Sequence, residues 1–112
     1  MKLDTKKCVA CEGKTLPLNK KQIKKYLQEI NNWKLSSDFK KIKQEFKFKD
    51  FKQAIGFINK VAKLAEEEKH HPDIYIFYNR VKIELSTHAI KGLSENDFIM
   101  ASKINKLIKS KF

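Results

Sequence analysis

From residue 19 onward the apolar positions switch between a spacing of three to four and a spacing of two, and the switches mark the elements. Ile23, Leu27 and Ile30 recur at helical spacing in KKQIKKYLQEI, with Asn19 placed to cap the segment and Asn31-Asn32 to stop it. Trp33 to Ser36 reads as a short strand and Ser37-Asp38 as a turn. KIKQEFKF then alternates: Ile42, Gln44, Phe46 and Phe48 share one face, and Lys41, Lys43, Glu45 and Lys47 the other, as in a strand with one side in water. Asp50 opens a long helix, with Gln53 as its capping-box partner and Phe51, Ala54, Ile55, Ile58, Val61, Ala62 and Ala65 as its apolar stripe. The polar run from Glu66 to Lys69 ends it, and Pro72 forbids continuation. IYIFY and VKIEL form two strands about a two-residue turn at Asn79-Arg80. Ser94, with Asp97 three residues on, caps a last helix with the stripe Phe98, Ala101, Ile104 and Ile108.

The order helix, strand, strand, helix, strand, strand, helix predicts an α+β domain. Its core is a four-stranded antiparallel sheet with three helices packed on one face. Strand 73–78 departs from one-sidedness, because Tyr75 and Phe77 fall opposite Ile74, Ile76 and Tyr78. An aromatic patch on the outer face predicts a homo-oligomer. Residues 1–18 are charged and lack a clear period, so they read as an N-terminal leader to a single domain of residues 19–112.

Composition narrows the function. A chain of 112 residues holds one domain rather than two, and 41% hydrophobic content argues against disorder despite 34% charge. No apolar run reaches the ~18 residues of a membrane span, and MKLDTKKCVA lacks a signal-peptide core. No membrane association and a cytoplasmic location are expected. The net charge of +12 invites a nucleic-acid reading. Arg80 is the only arginine, however, and the lysines are spread along the chain. Bidentate recognition of phosphate or guanine favours arginine's planar fork, so no nucleic-acid partner is expected. Cys8 and Cys11 would make half a zinc ribbon, but no second CxxC exists. The pair reads as free thiols of a reducing compartment.

The three histidines carry the chemistry. With the turn at Asn79-Arg80, Tyr78 faces Val81, Ile76 faces Ile83 and Ile74 faces Leu85; the extended ladder sets His71 opposite His88. His70, His71 and His88 then meet at one end of the hairpin. Histidine titrates near neutral pH, so such a cluster suits general acid–base catalysis. A metal site is the rival, with Asp73 or Asp97 to supply a carboxylate, but adjacent histidines point apart, unlike an i, i+4 pair. A third reading has the imidazoles complement a helix dipole; it accounts for His70 or His71 singly, not for convergence with His88.

Glu66, His70-His71-Pro72, Tyr78, His88 and Asp97, separated by three, five, nine and eight residues, resemble the signature of the pterin-4a-carbinolamine dehydratases. STHAIKGLSENDFIMAS, Trp33 after the first helix, the FKFKDF entry to the second and the early CxAC element resemble the family too, so the likeness covers nearly the whole chain. Ile74 departs from it, since many members carry tryptophan there. The resemblance implies a lyase that removes water from 4a-hydroxytetrahydrobiopterin to give quinonoid dihydrobiopterin in tetrahydrobiopterin recycling, with no metal and no organic cofactor. It implies His70 and His88 as the acid–base pair, and His71 as a catalytic residue that chiefly holds the pterin and shares in proton transfer. It also implies Lys69, Ser86, Thr87 and Ala89 at the substrate, Pro72 fixing the approach of the histidines, and Glu66 orienting His70. Asp97 could be a helix cap or a site residue. Members assemble as homodimers or homotetramers. The alternative functions are a protein-binding dimerisation cofactor or regulator, as among vertebrate relatives, and a basic nucleic-acid-binding module.

Overall fold

The computed structural model describes residues 3–9 and 16–109; Cys11 lies outside the described residues. Asn19 caps α1 (Lys20–Leu27): its side chain accepts from the Gln22 N–H, and the Gln22 side chain accepts from the Asn19 N–H, both at 2.9 Å. The helix stops at Leu27 and not at Ile30. The N–H groups of Glu29 and Ile30 turn back to the carbonyls of Tyr26 and Leu27, a tightened last turn, and Asn32 takes a left-handed φ of 69°. Ile30 is still buried.

Strands β1 (Lys34–Leu35), β2 (Ile42–Lys47), β3 (Asp73–Phe77) and β4 (Arg80–Leu85) form one antiparallel sheet in the order β1-β2-β4-β3. Ile42, Phe46, Val81, Ile83 and Leu85 on its inner face are buried. Helices α2 (Phe51–Glu68) and α3 (Glu95–Lys109) cover them with Phe57, Val61, Phe98 and Ile104, each fully buried. Each such side chain stabilises the fold by about 1.5–3 kcal/mol relative to exposure. The outer face carries the charged positions, together with Tyr75 and Phe77, 39% and 48% exposed.

Several local details differ from the pattern reading. The buried stripe of α2 is Ala54, Phe57, Val61 and Ala65, whereas Phe51 and Ala62 are exposed. The sheet dictates this rotation: the rings of Phe46 and Phe48 pack on Phe57 with centroids 4.8 and 5.1 Å apart. Asp50 does cap α2 through the Gln53 N–H, but the Gln53 side chain accepts from Lys49 N–H rather than from Asp50.

The hairpin turn also sits one residue earlier than expected, at Tyr78-Asn79, with Tyr78 at φ 56°. Asn79 fixes it there: its carbonyl accepts from Phe48 N–H at 2.8 Å, and its side-chain amide donates to Phe48 O at 2.9 Å. Ile74 therefore faces Ile83 and Ile76 faces Val81. The ladder begins at the Asp73–Glu84 pair, so His71 does not stand opposite His88 as the expected register had it. Which side chains face the core is unchanged, because every pairing moves by two residues.

Beyond β4, Thr87 and Gly92 bridge each other around a one-turn 3-10 helix, His88–Ile90. Gly92 permits a close approach: a Cβ there would lie 2.8 Å from Cβ of Pro17. At the other end of the chain, Leu3 is buried within the core. Among the described residues no helix is long and apolar enough to cross a membrane.

Candidate active site

The open end of the β3–β4 hairpin is where three segments converge. The first is the end of α2. Lys69 takes a left-handed conformation, φ 55° and ψ 38°, and the N–H groups of Lys69 and His70 both return to the Ala65 carbonyl. This ends the helix and turns His70 off its path. The second is the turn carrying His88, closed by Lys91, also left-handed at φ 54°. The third is the first turn of α3, where Asp97 is fully buried. A left-handed lysine costs on the order of 1–2 kcal/mol relative to the ordinary helical region. Both such lysines flank a histidine segment, so the strain is held where the histidines are placed.

Asp97 is the centre of the network. One carboxylate oxygen lies 2.7 Å from His70 Nε2. The other accepts from Thr87 Oγ1 at 2.8 Å and from Ser94 N–H at 3.0 Å. Because Thr87 gives its hydroxyl proton to Asp97, Ser94 Oγ is the donor in its 2.7 Å bond to Thr87 Oγ1. Asp97 is thus a helix cap and the partner of a histidine at once. A carboxylate on Nε2 fixes the proton of a neutral His70 ring there and leaves Nδ1 as the lone pair.

Glu66 does not orient His70. It pairs with the ring of His71, both side chains well exposed. The left-handed Lys69 breaks the helical alignment on which the i, i+4 expectation depended.

A cavity of about 350 Å³ opens between these segments, and Lys69, His70, His71, Ser86, Thr87, His88 and Ala89 line it. The three histidines therefore share one hollow, although by a turn and a helix end and not by the expected ladder. Glu66, Pro72 and Asp97 are not in its lining. A neighbouring hollow of about 380 Å³ shares Ser86, Thr87 and His88 and is rimmed by Lys40, Lys41 and Lys91. Among the described residues no group of three or more His, Cys, Asp or Glu side chains is set to hold a metal ion.

Two further lining residues, Val9 and Asn96, escaped the sequence reading. Asn96 carried a signal: it is one helical turn before Met100, on a buried side of α3, where a polar residue needs a partner. That partner is the backbone of Val9, which accepts from the Asn96 amide and donates to Asn96 Oδ1 at 2.9 Å. Val9 carried none, since no period runs through its segment. Next to it, Cys8 N–H donates to Glu68 Oε1 at 2.9 Å, and Lys103 Nζ lies 2.7 Å from Glu68 Oε2. Burial alone would raise the Glu68 carboxyl, but hydrogen bonds from Lys103 and Cys8 N–H, with the charges of Lys103 and Lys7, hold it below its ordinary value. The Cys8 thiol is pushed up to about 12 by burial and by the Glu68 charge, which leaves it a poor nucleophile.

Comparison with known proteins agrees with this picture. Residues 16–107 match the family model described as pterin 4 alpha carbinolamine dehydratase. The chain is 41% identical to a Halorhodospira halophila protein named for that activity, over 96% of this chain and 98% of the relative. It is 47% identical to a Rickettsia bellii protein of the same name, over 94% and 93% of the two chains. A crystal structure described as a transcriptional coactivator/pterin dehydratase from Brucella melitensis superposes with a TM-score of 0.77 at 36% identity, covering 81% of this chain and 97% of that one. By sequence and by fold, the chain belongs to the pterin-4a-carbinolamine dehydratase family.

Proposed function

We propose that this protein dehydrates 4a-hydroxytetrahydrobiopterin to quinonoid dihydrobiopterin by histidine general acid–base catalysis. The observation that carries the reading is the single cavity lined by His70, His71 and His88, with His70 anchored on a buried carboxylate. The reaction needs a proton delivered to the 4a-oxygen, which leaves as water, and a proton taken from N5 as the C4a–N5 double bond forms. It consumes no electrons and no co-reactant.

His70 and His88 divide these two transfers. His70 keeps its Nδ1 lone pair because Asp97 holds the proton on Nε2. His88 sits on a short turn braced by the Thr87–Gly92 bridge, and Thr87 is tied to the same Asp97. His71, exposed in the lining and paired with Glu66, chiefly holds the pterin and shares in proton transfer. Lys69, Ser86, Thr87 and Ala89 border the bound ring, with Pro72 and Asp97 fixing the histidines from outside the lining. A cavity of about 350 Å³ lies within the range of small-molecule sites. The reading places the enzyme in the cytoplasm as a homodimer or homotetramer, and the exposed Tyr75 and Phe77 support self-association.

The test is dehydration of a synthetic 4a-hydroxytetrahydropterin above its spontaneous rate. His70→Ala and His88→Ala should each lose roughly 10²- to 10⁴-fold in turnover, the usual worth of a positioned acid or base, while circular dichroism stays that of the parent. Parental rates in all three single histidine-to-alanine variants would overturn the assignment.

A further inference from the structure

We propose that the N-terminal segment 3–9 is a strap forming one wall of the histidine cavity, and that Val9, held by Asn96, sets the affinity for the pterin. The proposal rests on the dehydratase reading above.

The strap is anchored along its length. Leu3 is 2% exposed, Lys6 Nζ lies 2.9 Å from Glu95 Oε2, and Cys8 N–H donates to the buried Glu68. Cys8 Sγ points to the Asn96 carbonyl at 3.7 Å. One side chain, Asn96, then takes both backbone groups of Val9, imitating a strand pairing. Asn96 is 4% exposed, yet the Val9 side chain it fixes is 69% exposed at the cavity. An ordered backbone carrying an uncovered apolar side chain into a hollow is a contact awaiting an occupant.

The chemistry of the lining says what that contact contributes. Among the described lining residues, Lys69, the three histidines, Ser86, Thr87 and Asn96 are polar, and Ala89 and Val9 are apolar. Ligand pockets ordinarily use apolar surface for affinity and a few polar groups for orientation. Here the larger apolar contact for the face of a flat heterocycle is Val9. The strap also shares its anchors with the proton-transfer machinery. Asn96 precedes Asp97, which holds His70, and Glu68 stands two residues before His70. Docking of the strap and placement of the histidine draw on the same two helix ends.

Steady-state constants on a 4a-hydroxytetrahydropterin and fluorescence binding of a tetrahydropterin lacking the 4a-hydroxyl test this. Val9→Ala should raise KM and Kd about five-fold, the loss expected for two partly covered methyl groups, with kcat and Tm of the parent. Val9→Asp should raise both further. Asn96→Ala should raise KM comparably, and the double variant Val9→Ala/Asn96→Ala should be no worse than Asn96→Ala, because an unclasped strap no longer delivers the side chain. If Asn96→Ala fails to fold, the two Val9 variants decide, since they alter an exposed side chain. Parental KM and Kd in both Val9 variants, with the parent active, would overturn the strap alone. A parent chain that neither binds nor turns over would overturn the dehydratase reading and the strap with it.

Discussion

Asp97 ties His70 to the residue before His88: one carboxylate oxygen lies 2.7 Å from His70 Nε2 and the other 2.8 Å from Thr87 Oγ1. A single buried group therefore sets the spacing of two histidine segments that are far apart in sequence. Asp97→Asn should separate its structural role from its chemical one. An amide can still bond to Thr87 and Ser94, but its NH₂ turned to His70 demands the opposite tautomer, with the lone pair on Nε2. On the proposed chemistry turnover should fall on the order of 10²-fold or more. Stability should fall by about 1–3 kcal/mol, the cost of weakened bonds to a charged buried group. Turnover and urea unfolding on the same preparation check both. Parental kcat in a folded Asp97→Asn variant would remove Asp97 from the mechanism.

Glu68 makes the docking of the N-terminal segment pH-dependent. Its carboxyl is held below its ordinary value of 4.5 in the fold. A depressed folded pKa contributes stability at pH values above 4.5, and the contribution is lost as pH falls through the folded value. The stability difference between the parent and Glu68→Gln should thus be constant above about pH 5.5 and shrink below it. Lys103→Met should reduce that pH dependence, because the hydrogen bond and charge of Lys103 act with the Cys8 N–H bond and the Lys7 charge to hold Glu68 down. Denaturant unfolding at a series of pH values reads this directly, and a difference that does not change with pH would refute it.

The elements and their order were legible because each rests on local chemistry: the Asn19 box, the alternation of β2, and the Asp97 partner of Ser94 are all contained within a few residues. What escaped was set by tertiary contact. The α2 stripe turned toward Phe57 because Phe46 and Phe48 wait on the sheet. The hairpin turn moved because Phe48, far away in sequence, holds Asn79. The convergence of the histidines was legible and its means were not. The Glu66–His70 pairing failed on one left-handed residue, Lys69, which no helical spacing announces. Val9 was invisible because its place depends on long-range anchors, Asn96 on both of its backbone groups and Glu68 on the neighbouring Cys8 N–H.

The displaced turn yields its own prediction. Tyr78 occupies the left-handed region at φ 56° and its side chain is 67% exposed, so it is strained and little repaid by packing. Tyr78→Gly should remove a conformational cost of roughly 1–2 kcal/mol, partly offset by glycine's greater freedom in the unfolded chain. The expected net result is about 0.5–1 kcal/mol of added stability by urea unfolding. Turnover should be unchanged, because Tyr78 is at the end of the hairpin away from the histidine cavity. A loss of stability would mean that the ring makes a contact worth more than the strain.

Asn105 makes the last prediction, toward the β1–β2 edge of the sheet. Its Oδ1 accepts from Trp33 Nε1 and from Gln44 Nε2, and its Nδ2 donates to the Asn31 carbonyl, all at 3.0 Å. One amide thus joins α3 to the end of the first helical segment, to the indole and to β2. Asn105→Ala strands the indole N–H of a tryptophan that is only 7% exposed, and should cost about 1–3 kcal/mol. Trp33 is the sole tryptophan, so its emission reports the change without interference. Trp33→Phe in the Asn105→Ala background removes both partners of that bond, so the two substitutions should couple by about 0.5 kcal/mol or more. Strict additivity in unfolding free energy would show instead that Trp33 is held by packing against Phe46 and that the hydrogen bond contributes nothing of its own.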